Sequence, residues 1–303
     1  MIRELVIALA LTVLASKGIA QETSVDTAKH EGLQQLEFES TFKVLHSTGE
    51  AAHAQEEAAL VNEAYQFLTA IMGEKSDFCL LVLSEKDWAT HAYLPVPGMP
   101  EYYKGNLIVG AGKNSMADGY EQMLGGFPPE MTTELKAVYT NAEGEFDMQL
   151  FFDKLSIHEL THSFQDPNNS GGFSMSRWLE EVHANMGLYA FYKYQRPKEL
   201  IYITSLVDFS LNNPPPQQQY NSLSDFNTHY YELSPGDYGF YQMKFTRAAQ
   251  RIIDTLGVEV LKPLNDFLIK YDESWSDQLD EAAFQKRLAT EVDPFIIEAM
   301  EAF

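Results

Sequence analysis

The pattern of apolar and polar positions divides the chain into a strand-rich first part and a helix-rich second part. Alternation over 36–44 predicts a half-buried strand, and short apolar runs at 78–83 and 106–109 predict two more. One buried face predicts a helix over 50–72. Downstream, the pattern predicts helices over about 150–165, 176–194, 239–256 and 258–270. This order predicts an α+β fold in which a small mixed sheet precedes a mainly helical body.

Two connecting segments stand out between the predicted helices. Pro and Gln fill 214–219, which predicts a loop. Turn-forming residues fill 166–172, so this segment can continue neither of its flanking helices. It is interpreted as a connector, with a mobile rim of a functional site as the alternative.

The stretch His158-Glu159-Leu160-Thr161-His162 places two imidazoles four residues apart, with a carboxylate beside the first. On a helix, residues at i and i+4 share a face about 5–6 Å apart, so both rings can reach one tetrahedral metal ion. Glu159 is rotated by roughly 100° and lies beside that ion without being a ligand. Zn²⁺ lowers the pKa of a bound water to around 7, and a neighbouring carboxylate can take the proton.

A motif this short needs support from its surroundings. Leu155, Ile157 and Leu160 are interleaved with the two His, as is typical of a helix that is buried over most of its surface. Burying two imidazoles without a partner would be costly. Catalytic zinc sites use three protein ligands and leave a fourth position open. The candidates for the third ligand are Glu180, Glu181 and His183.

The spacing to the second of these candidates resembles a known superfamily. Eighteen residues separate His162 from Glu181, which is the H-E-x-x-H-x18-E spacing of the gluzincin metallopeptidases. Trp178, Leu179 and Ala184 extend the resemblance to the W-L-N-E-G-F-A segment that carries the glutamate ligand in the aminopeptidase branch. The overall pattern of the chain also resembles a group of secreted bacterial gluzincin-like proteins.

The resemblance implies a zincin-like fold with Zn²⁺ in a cleft between two lobes, a mixed-sheet lobe over about 36–145 and a helical lobe over about 150–303. It also implies a peptide or protein substrate and a general-base role for Glu159. The implied zinc ligands are His158, His162 and Glu181.

The other two ligand candidates are less well oriented. Glu180 and Glu181 point about 100° apart on a helix, so one of them faces the site, and the spacing favours Glu181. His183 lies two residues beyond Glu181 and points to the opposite side, which predicts a structural or rim position.

The chain departs from the family pattern in two places. The segment 105–110 does not resemble the G-x-M-E-N motif that holds a free amino terminus in the aminopeptidases, so an aminopeptidase is not indicated. Asn185 stands where the thermolysin-like branch has an acidic residue that orients the first His; its carbonyl can still accept the ring N–H. By resemblance, an edge strand binds the extended substrate, and 105–110 is predicted to be that strand, with 78–83 as the alternative.

Gluzincins also supply a Tyr or His, from downstream of the glutamate helix, that stabilises the oxyanion. The chain has 16 Tyr, and the turn at 234–237 opens a predicted helix. Tyr238 is the predicted donor, with His229 and Tyr241 behind it.

Residues 1–20 are predicted to be a signal peptide, with a charged start, an apolar run and cleavage near Ala20, so 21–303 is expected to be a single secreted or periplasmic domain. Cys79 is the sole cysteine, which excludes an intramolecular disulfide, and its position argues against a lipid anchor. The net charge of -23 argues against nucleic-acid and anionic-lipid partners and favours solubility outside the cell. The sequence leaves the oligomeric state open.

The residues therefore predict a secreted zinc metallopeptidase. Two alternatives remain at this point: a peptidase-like fold in which zinc is structural and the surface serves for binding, and a zinc hydrolase of non-peptide amides or esters. A broken catalytic glutamate or a fourth protein ligand would mark the binding protein, and Glu159 is intact.

Overall fold

A computed structural model describes residues 25–73, 75–172, 174–272 and 280–300. The predicted signal peptide lies outside these ranges. The strands are β1 (Gln34–Gln35), β2 (Lys43–His46), β3 (Cys79–Leu83), β4 (Glu101–Tyr103) and β5 (Asn106–Gly110). The α-helices are α1 (Ala51–Met72), α2 (Glu85–His91), α3 (Ser115–Gly125), α4 (Pro129–Val138), α5 (Gln149–Phe152), α6 (Leu155–Gln165), α7 (Arg177–Tyr194), α8 (Ile201–Asn212), α9 (Leu223–His229), α10 (Pro235–Leu256), α11 (Leu261–Lys270), α12 (Glu281–Glu291) and α13 (Phe295–Met300). Together they form a small mixed sheet and a mostly helical body, which confirms the α+β class.

The sheet has the strand order β1-β2-β3-β5-β4. The three inner strands run parallel, while β1 and β4 pair antiparallel at the two edges. The prediction that 105–110 forms the edge strand is therefore wrong, and so is the alternative at 78–83, because both lie inside the sheet. Every residue of β3 is buried, as is typical of a strand covered on both faces. The edge next to the metal motif is instead β4.

A tight hairpin joins β4 to β5. Lys104 and Gly105 have φ angles of 46° and 75°, and positive φ at both loop residues is the signature of a type I′ turn. A Cβ on Gly105 would also lie 2.8 Å from the Asn169 side chain. Both the positive φ angle and this close approach therefore require glycine at the position. The turn fixes the register in which Tyr102 pairs with Leu107.

The predicted strand over 36–44 is only partly present. Its apolar residues Leu36 and Phe38 do pack on the core, but 36–42 is the connection between β1 and β2, with a turn held by the Ser40 hydroxyl bond to the Phe42 carbonyl. Alternation thus reports side chains that point towards the core, and between the Leu36 N–H bond to the Val44 carbonyl and the start of β2 it does so outside the sheet.

The helices predicted over 50–72 and 176–194 are α1 and α7, and the loop at 214–219 is also found. The segment predicted as one helix over 150–165 is broken at 153–154 into α5 and α6. The helix predicted from 239 begins at Pro235. The sequence prediction missed most shorter helices, including α3 and α4, whose apolar positions are few.

The metal-motif helix α6 packs closely against α7. A Cβ on Gly187 would lie 2.2 Å from the Thr161 hydroxyl, so only glycine allows this approach of the two helices. Both helices contribute to the main core, for example through Ile157 and Val182, and this core extends from Phe42 to Met300. No helix in the described part of the chain has the length and apolar character needed to cross a bilayer.

A buried carboxylate on α1 predicts an unusual pH dependence of stability. Burial raises the pKa of Glu57 to about 7, and its Oε1 has no hydrogen-bond partner among the described residues. Since the folded state holds this proton above the pH at which the unfolded chain loses it, stability falls as the pH rises from about 4.5 to about 7. We expect Glu57→Gln to raise the unfolding free energy at pH 8 by roughly 2–3 kcal/mol and the gain to vanish near pH 4.

Urea unfolding of Glu57→Gln and wild type across this pH range measures the effect. The exposed neighbour Glu56 supplies a matched control, Glu56→Gln. A gain that is equal at pH 5 and pH 8 would contradict the assignment of the proton to Glu57.

Candidate metal centre

Helix α6 carries the two imidazoles on one face. The Nε2 atoms of His158 and His162 lie 3.2 Å apart, with the rings edge to face. With Glu159, they form a group whose ligand atoms all lie within 4.8 Å of one another. The sequence motif therefore becomes one compact cluster of donor atoms.

Helix α7 adds a carboxylate to this cluster. Glu181 Oε2 lies 3.2 Å from His158 Nε2 and 3.8 Å from His162 Nε2. Its side chain is 7% exposed. Glu181 also accepts hydrogen bonds from Gln242 Nε2 at 2.7 Å, and from the hydroxyls of Tyr230 and Tyr238 at 3.3 and 3.4 Å.

These separations fit a four-coordinate metal ion. Ligand bonds of 2.0–2.1 Å in a tetrahedron put neighbouring donor atoms about 3.3 Å apart. The three separations among His158, His162 and Glu181 are 3.2, 3.2 and 3.8 Å. Two imidazoles and one carboxylate also form a donor set that suits zinc.

Glu159 faces the same space from beside the ligands. Its Oε2 accepts the backbone N–H of Tyr102, on β4, at 2.9 Å. Burial raises the pKa of Glu159 to about 8, although the charge of His158 opposes the shift. Burial acts in the same direction on Glu181, but the hydrogen bond to His158 and the charges of the two His hold its pKa at about 2. The surroundings therefore shift the pKa values of the two carboxylates in opposite directions, lowering that of Glu181 and raising that of Glu159.

The two histidines also differ. Burial lowers the pKa of His158, but the hydrogen bond to Glu181 and the charges of Glu159 and Glu181 outweigh it, so the net direction is upward. For His162, burial and the charge of His158 lower the pKa to about 4. His162 is therefore neutral at pH 7, which is the form that binds metal.

Of the three predicted oxyanion donors, Tyr238 lies beside the cluster of metal-ligand candidates, whereas His229 and Tyr241 lie away from it. His229 pairs with Glu232 at the surface, and the Tyr241 hydroxyl bonds to the Ser222 carbonyl. The sequence prediction missed Tyr230, which starts a short 3₁₀ helix (Tyr230–Glu232) and whose hydroxyl lies as near to Glu181 as that of Tyr238.

The remaining ligand candidates point elsewhere. The Glu180 carboxylate accepts the backbone N–H of Ser174. His183 is fully buried and bonds to Gln165 and to the Leu261 carbonyl, so its predicted structural position is correct and the rim alternative is not.

The Asn185 side chain lies beside His158, at the position where the sequence places a possible orienting residue. Its side chain is near enough to raise the pKa of His158. However, its Oδ1 accepts the Thr246 hydroxyl at 2.9 Å, and His158 Nδ1 has no well-formed hydrogen bond to the described residues.

A cavity of about 520 Å³ opens onto the centre. Its walls come from β4 and the segment before it, from the end of α6, from 166–172 and from the start of α7, so the connector also forms a rim. Six lining residues are tyrosines: Tyr93, Tyr102, Tyr103, Tyr230, Tyr231 and Tyr238. The walls also carry Leu94, Met99, Pro100, Glu101, Asp166, Arg177 and Glu180.

The wall before β4 is held by its own hydrogen bonds. Glu101 accepts the backbone N–H groups of Tyr93 and Leu94 at 2.7 and 2.9 Å, and the Trp88 indole donates to the Leu94 carbonyl at 2.8 Å. The apolar side chain of Leu94, which is 47% exposed, is therefore presented at the cavity on a fixed backbone.

No protein-family model matches the chain, and a search of curated proteins finds no match.

Proposed function

We propose that this chain is a zinc-dependent peptidase of gluzincin type, with a zincin-like fold, that acts outside the cell or in the periplasm. The observation that carries the proposal is the convergence of His158, His162 and Glu181 at 3.2–3.8 Å, with Glu159 beside them at the floor of a cavity. Such a constellation has the three protein ligands and the adjacent carboxylate that metal-assisted hydrolysis requires.

In the proposed hydrolysis, the metal ion and the protein side chains have different roles. Bound Zn²⁺ would polarise a substrate carbonyl and make water acidic enough to be deprotonated near neutral pH. His158, His162 and Glu181 would hold it. Glu159 takes the proton of the attacking water and then passes it to the leaving amine.

An extended peptide can reach these groups along β4. This strand is the sheet edge beside α6, and its backbone N–H at Tyr102 already points to Glu159. Strand addition along such an edge is a general way to bind a peptide backbone. The tyrosine-rich walls offer large apolar contact surfaces with polar tips, which suit side chains next to the scissile bond.

The hydroxyls of Tyr230 and Tyr238, which lie 3.3 and 3.4 Å from Glu181 Oε1, would stabilise the oxyanion. We expect Tyr238→Phe and Tyr230→Phe each to lower kcat by about 10–10³-fold at full zinc occupancy, because an oxyanion donor acts mainly in the transition state. Steady-state kinetics measures this. Tyr241→Phe is the matched control, since its hydroxyl bonds to Ser222 away from the cavity. Unchanged kcat/KM in both variants would exclude the pair from catalysis.

The test of the proposal itself is the zinc content of the purified protein together with cleavage of a mixed peptide pool. One zinc with cleavage supports the peptidase. One zinc without peptide cleavage would favour the binding protein or the non-peptide hydrolase, which a screen of acylated small molecules distinguishes. No zinc would refute the metal centre.

A further inference from the structure

A chain of hydrogen bonds leads from the second histidine of the motif into the helical core. His162 Nδ1 lies 2.7 Å from Gln165 Oε1. Gln165 Nε2 lies 3.0 Å from the Glu180 carbonyl and 2.9 Å from His183 Nδ1. His183 Nε2 lies 3.2 Å from the Leu261 carbonyl at the start of α11.

Two carbonyls, that of Leu261 at the end of the chain and that of Glu180 beside Gln165, fix the position of every proton in it. A carbonyl can only accept, so the Leu261 contact makes His183 Nε2 the protonated nitrogen and leaves a lone pair on Nδ1. The Glu180 carbonyl likewise requires the amide nitrogen of Gln165, whose second hydrogen then points to His183 Nδ1. The Gln165 oxygen therefore faces His162, and His162 Nδ1 must carry the hydrogen.

The consequence lies on the other side of the His162 ring. With its hydrogen on Nδ1, His162 presents an Nε2 lone pair towards His158 and Glu181, 3.2 and 3.8 Å away. That is the tautomer and the orientation that a metal ligand needs. His158 contrasts with it, since its Nδ1 has no comparable partner in the described residues.

We propose that Gln165 and His183 are positioning residues that lock His162 as an Nε2 metal ligand, so that the affinity of the proposed zinc site depends on a relay ending at α11. Each hydrogen of the relay has its own acceptor, and among the described residues no hydrogen bond joins Gln165 or His183 to His158 or Glu181. The inference rests on the proposed function, and its first test is made on metal-free protein.

Histidine ¹⁵N NMR of the metal-free wild type at neutral pH reads the tautomers directly. We expect His162 to carry its hydrogen on Nδ1 and His183 on Nε2. In Gln165→Met, which keeps the side-chain length but removes the amide, His162 should populate both tautomers. His162 protonated on Nε2 in the wild type would overturn the relay, whatever the zinc content.

Zinc affinity, measured by competition with a chromophoric chelator, gives the second readout. We expect Gln165→Met to weaken Zn²⁺ binding by about 10–100-fold, the usual effect of losing such an outer partner. Gln250→Met is the matched control, because Gln250 is a buried glutamine on α10 whose Nε2 has no partner in the described residues. Its affinity should equal that of wild type.

The link through His183 has its own test. His183→Leu should weaken zinc binding, whereas His183→Asn, whose oxygen can replace the Nδ1 acceptor, should restore most of the affinity. The effects of Gln165→Met and His183→Leu should be less than additive in the double variant, since both break one chain. Full additivity, or wild-type affinity in Gln165→Met, would refute the relay. A wild type that binds no zinc would instead refute the metal site and the proposed function with it.

Discussion

Replacing Glu159 with glutamine should abolish nearly all hydrolysis while leaving zinc in place. The amide has the same shape, and its oxygen can still accept the Tyr102 N–H, now made by Glu159 Oε2 at 2.9 Å. What it loses is the ability to take a proton from water and return it to the leaving amine. A general base is worth about 10²–10⁴-fold in rate, so we expect kcat to fall by at least that factor.

The measurement combines single-turnover cleavage of the best peptide with zinc analysis of the same samples. His158→Ala is the informative contrast, because it should lose both zinc and activity. Glu57→Gln is the control for removal of a buried carboxylate beside α6, and it should keep both. Retained turnover in Glu159→Gln would overturn the proposed mechanism, since a group other than Glu159 would then have to move the proton.

The residues of the metal motif could be placed from the sequence because their geometry is local. A helix brings His158 and His162 onto one face whatever the rest of the fold does, and this periodicity allows their Nε2 atoms to come within 3.2 Å of each other. Helix periodicity alone cannot place Glu181, because this residue lies on the next helix and approaches the two histidines only after the chain reverses direction. Its spacing carried that information through a family resemblance.

The substrate edge could not be predicted in the same way. Whether a strand lies inside a sheet or at its edge depends on pairing order, and local pattern does not encode that order. β4 is only three residues long and reads Glu-Tyr-Tyr after a proline, so it gave no periodic signal. The only local indication was the apolar run Leu107-Ile108-Val109, since unbroken apolar runs are typical of interior parallel strands, but such a run does not identify the neighbouring strands.

Tyr230 and Gln165 were missed for different reasons. Tyr230 is one of 16 tyrosines and sits on a single 3₁₀ turn, so nothing local marks it. Gln165, in contrast, stands three residues after His162, a spacing that puts two helical residues on the same face. A polar residue at this spacing behind a metal-motif histidine was a usable signal for an orienting partner.

The assignment of Glu181 rather than Glu180 as third ligand predicts opposite behaviour of two adjacent residues. Glu181 Oε2 lies 3.2 Å from His158 Nε2, whereas Glu180 accepts the backbone N–H of Ser174. We expect Glu181→Gln to weaken zinc binding by well over the ~10–100-fold typical of an outer partner, because it removes a ligand charge. Glu180→Gln should bind zinc as wild type does.

Chelator competition on both variants decides between them. Both glutamates are buried on α7, so the two substitutions should change the stability of the metal-free protein by similar amounts. Thermal unfolding of the metal-free variants checks this. Loss of zinc in Glu180→Gln with retention in Glu181→Gln would reverse the assignment. Loss in both would instead indicate a site closed by four protein ligands, and such a site has no open position for water. The two substitutions thus test the ligand set and, with it, whether the centre is built for catalysis or for structure.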